Sequence, residues 1–385
     1  GSFRPRLCGG QAPRVLNHYT NRIRQVNVGF SDSQLELRAA VRDVLTKECP
    51  PALVRSCLDD RDAWRPLWQT FVGLGWTALA LFDEDEGLGV IELVAVLEEL
   101  GAAAAPAPLL SSVGLAAGVL RAAGPPARRW QEELAEGTVG ALAATGVGAT
   151  LTISGSRLRG TVDGVADATR AQLFVVLADT DDGSTVAAML RPGDGVVLHP
   201  AEAVDASRPV AQLTVDADAE AMFPVDASAA LALPLTAAAA EMVGLAARVL
   251  DIAVAHAGTR EQFDRVIGSF QGVKHRLSDC YVAIERARSL TYAAAMLVAD
   301  PLADPDETWR AAAIAKAAAG DAATETARAG VQVHGALGMT WEHDLHLYLR
   351  RAWQSAALLG DSASLYRAAA ASLVRAVADP PAEAS

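Results

Sequence analysis

The block from 137 to 226 constrains the fold most, because its hydrophobic pattern differs from everything on either side. Short apolar or alternating runs at 151–153, 157–162, 172–177, 185–190, 195–198 and 210–215 read as strands. Asp163-Gly164, Asp182-Gly183 and Pro192-Gly193-Asp194-Gly195 read as the turns between them. Strands at that spacing predict a small β-barrel or sandwich. On both sides the apolar residues return to helical spacing. Ser31 and Gln34 have capping-box form, and Leu37, Val41, Val44 and Leu45 then mark one helical face. Further helices are predicted over 64–75, 91–100 and 109–123, and after the strands over 227–257, 271–299, 305–329 and 342–358.

The expected architecture is therefore α+β and mostly α. It has an N-terminal helical domain (30–136), a β domain (137–226) and a C-terminal antiparallel four-helix bundle (227–378). Residues 379–385, with Pro380-Pro381, read as a frayed tail. Residues 1–29 carry five Arg between Phe3 and Val28 and no acid, and read as a flexible or vector-derived leader. Asp361 before Ser362-Ala363-Ser364 suits the start of a last helix.

A formal net charge of −13 on 385 residues disfavours nucleic acid as a partner, since a phosphate backbone would be repelled. The four cysteines (Cys8, Cys49, Cys57, Cys280) show no zinc or CxxC spacing and read as reduced thiols of a cytoplasmic protein. Residues 101–120 lack charge, but Pro106, Pro108 and several glycines interrupt them, which argues for buried helices rather than a membrane span.

Two segments carry the chemistry. Residues 260–276, REQFDRVIGSFQGVKHR, link two long helical patterns and concentrate Arg260, Gln262, Arg265, Lys274, His275 and Arg276. Such a set is either a solvated basic connection or an anion site, for arginine can take a phosphate through two parallel hydrogen bonds. The second segment is QVHGALGMTWEHDLHLYLRR, from Gln332 to Arg351. His343 and His346 could share a helix face, but HExxH spacing is absent and no metal site is expected. Gly360-Asp361-Ser362-Ala363-Ser364 fails the GxSxG pattern, and nothing resembles a P-loop.

Together these segments resemble the Arg-x-Gln-Phe-Gly-x-Pro-Ile-x-x-Phe-Gln-x-x-Lys-His and Gln-Val-His-Gly-Gly-x-Gly-Phe-Thr-Trp-Glu-His-Asp signatures of the acyl-CoA dehydrogenase flavoproteins, the second in its actinobacterial form. Phe82 to Gly89 is similar to a further turn of that family, with its acids expected in a solvated loop. The resemblance implies FAD, an acyl-CoA substrate and an electron-transfer flavoprotein as acceptor. It also implies chemistry in which a carboxylate takes the α-proton while FAD accepts the β-hydride.

By the same resemblance Arg260 would pair the FAD diphosphate, with Gln262, Phe263, Ile267 and Gln271 packing around it. Gln332 and Gly335 would present a side-chain amide and close backbone. Departures are Asp264 in place of Gly, Val266 in place of Pro, and Ala336 in place of the second Gly. The flavin-ring loop of the family, Thr-Glu-Pro-x-x-Gly-Ser-Asp, falls at 142–150, LAATGVGAT, without its polar residues. The Trp-x-Thr strand falls at 164–169 without its Trp.

The base is missing at both family positions, which correspond here to Leu359 and Pro234. Glu241, a lone acid in an Ala-rich helix, is the candidate replacement; an internal salt bridge, with Arg248 or another Arg, is the alternative. Asp205-Ala206-Ser207-Arg208 resembles a strand entry of the family and would bring Arg208 near substrate or fix a bend. These gaps favour a subunit of an α2β2 assembly that completes the FAD site of a paralogous chain. A self-sufficient homo-oligomer with a non-standard base and a non-catalytic scaffold are the alternatives.

Overall fold

The computed structural model describes residues 30–82, 89–149 and 151–378. The acidic turn expected at Asp83–Leu88, the leader and the tail lie outside the described residues.

The N-terminal region contains α1 (Asp32–Glu48), α2 (Pro51–Asp59), α3 (Arg65–Gly73), α4 (Val90–Ala102), α5 (Gly118–Ala123) and α6 (Arg128–Ala135). Local chemistry sets the start of α1: the Ser31 hydroxyl accepts from Gln34 N and the Gln34 side chain accepts from Ser31 N. The predicted helix at 109–123 is π-helical over Leu110–Ala117 before it tightens into α5. Helices α2 and α6 were not read from the sequence. Both are nine residues or shorter, too short for periodicity to stand out.

The strands follow: β1 (Gly140–Ala143), β2 (Leu151–Ser154), β3 (Arg157–Ala166), β4 (Leu173–Thr180), β5 (Thr185–Leu190), β6 (Val196–Pro200), β7 (Val210–Asp218) and β8 (Ala221–Pro224). They form one sheet in the order β6-β7-β3-β2-β4-β5-β8, with β1 also paired to β4. Side chains from both halves of that path, such as Leu213 on β7 and Val186 on β5, share one buried cluster with Phe174 and Leu158, so the sheet curls over its own core. The opposite face of β4 and β5, with Val175, Leu177 and Met189, joins the helical core. Asp163-Gly164 is not the expected turn. The register of β3 against β7 shifts between Val162 and Val165, so the pair forms a bulge inside one long strand. Strands β1 and β8 are four residues each and were missed.

The C-terminal region holds α7 (Ala227–Thr259), α8 (Gln271–Ala299), α9 (Pro305–His334), α10 (Leu345–Ala357) and α11 (Ser362–Ala378). Asp226, Asp304 and Asp361 each accept from a backbone N–H three residues on, at 2.8, 2.8 and 2.7 Å, which fixes three of the starts. Helix α9 is the hub and packs on the other four. Helix α7 is long and apolar enough to cross a bilayer, yet 94% of its apolar window is buried in the protein, so it serves as the core helix of the molecule.

Candidate functional site

The basic linker between α7 and α8 is a small hairpin. Strands β9 (Glu261–Gln262) and β10 (Arg265–Val266) pair antiparallel around a two-residue turn, Phe263-Asp264. Both turn residues have positive φ, 54° and 61°, as a type I′ turn requires. That explains the departure noted at 264: glycine would suit the conformation, and aspartate is among the few side chains that tolerate it. Val266 sits at φ −61°, ψ 135°, values that proline would also adopt. The hairpin is tied to α7 at its root, where Arg260 N donates to His256 O and Ile267 N donates to Arg260 O (2.9 and 2.8 Å). Ile267 packs onto the core.

The tip is bare. Phe263 is 85% exposed, and Arg260, Gln262 and Gln271 are exposed as well. Arg276 pairs with Glu325 at 2.7 Å and Arg265 stacks over the Phe270 ring at 3.9 Å. Among the described residues, the side chains of Arg260, Lys274 and His275 have no ion-pair or hydrogen-bond partner. The basic set therefore divides into used and free cations, and Arg260 is free.

The second motif lies directly behind Arg260. His256, in the last turn of α7, stacks on His334, the last residue of α9, with ring centroids 4.1 Å apart and planes 23° apart. His343 meets the His334 ring at 4.6 Å. This stack joins two segments more than 70 residues apart in the chain and places exposed Gln332 and Gly335 on the same corner as Arg260. Gly335 has φ 63° and ends α9, with open space where a β-carbon would lie. Sequence reading treated His256 as a helix end and His334 as part of a motif; nothing in the spacing announced that they touch.

Glu241 and Arg208 are brought together, but not as a base and a substrate contact. Glu241 is 1% exposed and Arg208 3%. Both Arg208 terminal nitrogens donate to the two Glu241 oxygens, one at 2.7 Å. Burial alone would raise the Glu241 pKa, but the charge and hydrogen bonds of Arg208, with Arg351 beyond, outweigh it and hold the carboxyl below its usual range. The same network holds Asp205, which takes Arg351, and Arg351 also donates to Ser207 Oγ and Ala105 O at 2.9 and 3.1 Å. Arg170 pairs Asp167 at 2.9 Å and donates to Ser207 O at 3.1 Å. The bridge is made with Arg208 and not Arg248, and Asp205 pairs with Arg351, not with Arg208. Both Glu241 oxygens are engaged by a buried guanidinium that favours the charged carboxylate, so the geometry supports structural roles for Glu241 and Arg208, fastening the β domain to the helices.

Within the stretch that resembles the flavin-ring loop, Gly146 is packed tightly. A β-carbon at Gly146 would lie 2.0 Å from Leu359 O and 3.1 Å from Leu235 Cδ2. Gly146 therefore touches Leu359 and the neighbour of Pro234, the two positions where a base was sought. Trp309 Nε1 donates to Gly146 O at 3.0 Å. Leu359 has φ 57°, and its turn is held from below by fully buried Lys316, whose ammonium donates to Ala356 O at 2.7 Å and to Gly360 O. Lys316 has no carboxylate partner, and burial pulls its pKa down to about 7 against the pull of Asp361 and Asp321.

Comparison with known proteins identifies the lineage. Residues 31–138 match the acyl-CoA dehydrogenase N-terminal domain and residues 227–374 the C-terminal domain. The chain belongs to the acyl-CoA dehydrogenase family. Among its relatives, acyl-CoA dehydrogenase IpdE2 of Mycobacterium tuberculosis is 34% identical over 84% of this chain and 92% of that one. Among solved structures, the Tcur3481-Tcur3483 steroid ACAD G363A variant aligns with a TM-score of 0.83 at 25% identity, over 90% of this chain and 99% of that one. The ChsE4-ChsE5 complex from Mycobacterium tuberculosis aligns with a TM-score of 0.78 at 28% identity, over 93% and 100%.

For an acyl-CoA dehydrogenase the two halves of the site now test differently against FAD. A planar ring lodged between two surfaces needs about 7 Å between them, two carbon contact distances. Gly146 and Leu359 are already in backbone contact, so a flavin ring does not fit there. Free Arg260, exposed Gln332 and the open Gly335 backbone fit an adenine-diphosphate arm. Of the cysteines, Cys49, Cys57 and Cys280 are free and buried.

Proposed function

We propose that this chain is the clamp subunit of a heteromeric, α2β2 acyl-CoA dehydrogenase that desaturates the Cα–Cβ bond of an acyl-CoA thioester. It holds the adenine and diphosphate arm of FAD while a paralogous subunit seats the ring and carries the base. When bound, the cofactor supplies the hydride acceptor. Arg260 offers the guanidinium fork to the diphosphate, Gln262 and Gln332 offer amides, and Gly335 lets the backbone approach. Ile267 anchors the hairpin, and Phe263 and Gln271 line its outer side.

The observation that supports this reading is the pairing of a closed Gly146–Leu359 contact, at the stretch that resembles the family's flavin-ring loop, with an exposed, unpartnered Arg260. The two-component Tcur3481-Tcur3483 and ChsE4-ChsE5 structures support a paralogous partner, and the former, a steroid ACAD, supports a steroid side-chain CoA ester as substrate. We infer an electron-transfer flavoprotein as the acceptor and the cytoplasm as the compartment. Engagement of Glu241 by Arg208 speaks against a self-sufficient enzyme that uses this carboxylate as its base.

Colour tests the proposal. The chain purified alone should lack the flavin bands, and co-expression with its paralogue should give a yellow complex. Arg260→Ala should lower the flavin content of that complex at least tenfold with its assembly intact. A yellow homo-oligomer of this chain alone would overturn the reading.

A further inference from the structure

The clamp has a feature that its anion-binding role does not require. Behind Arg260 lie three imidazoles in mutual contact: His256 on His334 at 4.1 Å, and His334 against His343 at 4.6 Å. His334 is 7% exposed, and its Nδ1 is committed to Gly330 O at 2.8 Å. A ring nitrogen facing a carbonyl carries the proton, so in the neutral ring Nε2 is the bare acceptor. That Nε2 is buried and has no partner. His343 Nδ1 accepts from Leu345 N at 3.1 Å, which leaves its proton on the other nitrogen.

The charges facing the stack are one-sided. From the linker just after α7 comes Arg260, from α9 the Gly330 carbonyl, and from the loop before α10 His343 itself. Asp344, beside His343, is taken by Arg55 at 2.7 Å, and Arg55 also reaches His346, with Arg350 close to the same ring. Lys274 and His275 at the start of α8 add further cationic or titratable groups on the linker. Burial lowers the pKa of His256 and of His334, and the neighbouring imidazoles, with Arg260 for His256, push the same way.

We propose that the His256–His334–His343 stack is a proton-binding site coupled to the clamp, taking up a proton as a diphosphate diester settles on Arg260. This rests on the clamp reading above and adds a regulation to it. The anion offsets the Arg260 charge that adds to burial in keeping His256 neutral, and a proton taken up by the stack turns Nε2 of His334 from orphaned acceptor into donor. Linkage fixes the sign: affinity for the diphosphate rises as pH falls through the range between the depressed and the restored histidine pKa. One coupled proton gives up to tenfold tighter binding per pH unit across that range.

ADP-ribose is the probe, since its bridging diphosphate keeps its charge near neutrality. Titration calorimetry of the purified chain and of its complex, in buffers of different ionisation enthalpy between pH 5.5 and 8, should show net proton uptake and a three- to tenfold tightening per unit fall in pH. His334→Gln and His256→Gln should flatten the profile while leaving binding at pH 8 within about threefold, and His275→Gln should leave the profile unchanged. The wild-type histidine ring resonances should titrate at higher pH with ADP-ribose present, which checks the coupling without any variant. Buffer-independent heats and a flat profile, with Arg260→Ala still weakening binding, would overturn the proton coupling and leave the clamp standing. Absence of binding that Arg260→Ala can weaken would overturn both.

Discussion

The stretch around Gly146 and the hairpin at Arg260 sit in one chain and face opposite fates. At Gly146 the backbone is pressed against Leu359, Trp309 donates into the contact, and Lys316 holds the turn from beneath. At the hairpin the phenyl ring of Phe263 is 85% exposed and Arg260 is free among the described residues. In the first region backbone carbonyls of Gly146, Ala356 and Gly360 are bonded inside the molecule; in the second, side chains suited to recognition are left in water. On the proposed function, one half of a composite site is closed by packing and the other is left unsatisfied.

The comparison can be broken most forcefully at its frame. Arg208→Met strips the buried Glu241 carboxylate of its two hydrogen bonds, leaving only Arg351 at 3.8 Å, and should cost about 3 kcal/mol of stability, read by chemical denaturation. Adding Glu241→Leu should recover much of that loss; a catalytic rather than structural role for Glu241 would instead show as wild-type stability with lost activity. Gly146→Ala drives a methyl into Leu359 O and should cost about 1–3 kcal/mol. A variant of unchanged stability would mean that the contact opens readily and the filled site is fillable.

Smaller effects sharpen the contrast. Lys316 has a folded pKa of about 7, below its unfolded value, so between those values the unfolded chain binds more protons than the folded one. Stability should therefore rise with pH above about 7, by at most about 1.4 kcal/mol per unit. Lys316→Met should remove that slope when the two unfolding profiles are subtracted. On the open side, Val266→Pro should be tolerated and stabilise by about 0.4–1 kcal/mol. Its φ already suits proline, and in a two-residue hairpin the outer pair Glu261/Val266 leaves the Val266 N–H unbonded.

What was legible in the sequence divides along physical lines. Elements with strong local signals were read: the Ser31 and Asp361 caps, helix α7, and the β4–β5 turn at Asp182-Gly183. The absence of the family's polar residues at 142–150 and of a carboxylate at Leu359 is visible in the sequence, but the Gly146–Leu359 contact is not. Contacts set by packing were not. Glu241 was found as an unusual buried acid, but its partner is 33 residues away on a different element, where periodicity gives no direction. The histidine stack depends on two helices ending at one corner, which no window of sequence contains. Asp163-Gly164 carried a turn signal that was real but weaker than pairing with β7, and it became a bulge.

The hairpin tip has one more consequence, and it concerns supply. Its turn is already folded in the free polypeptide, so docking onto the proposed partner would cost little ordering, yet each uncombined copy shows water a bare phenyl ring and a groove edged by exposed Val254 and half-buried Val266 and Val273. Such a copy is prone to stick to itself. On the proposed function, a cell that makes this chain in excess of its partner should lose the surplus to aggregation or proteolysis, so matched synthesis of the two would be part of how the surface works.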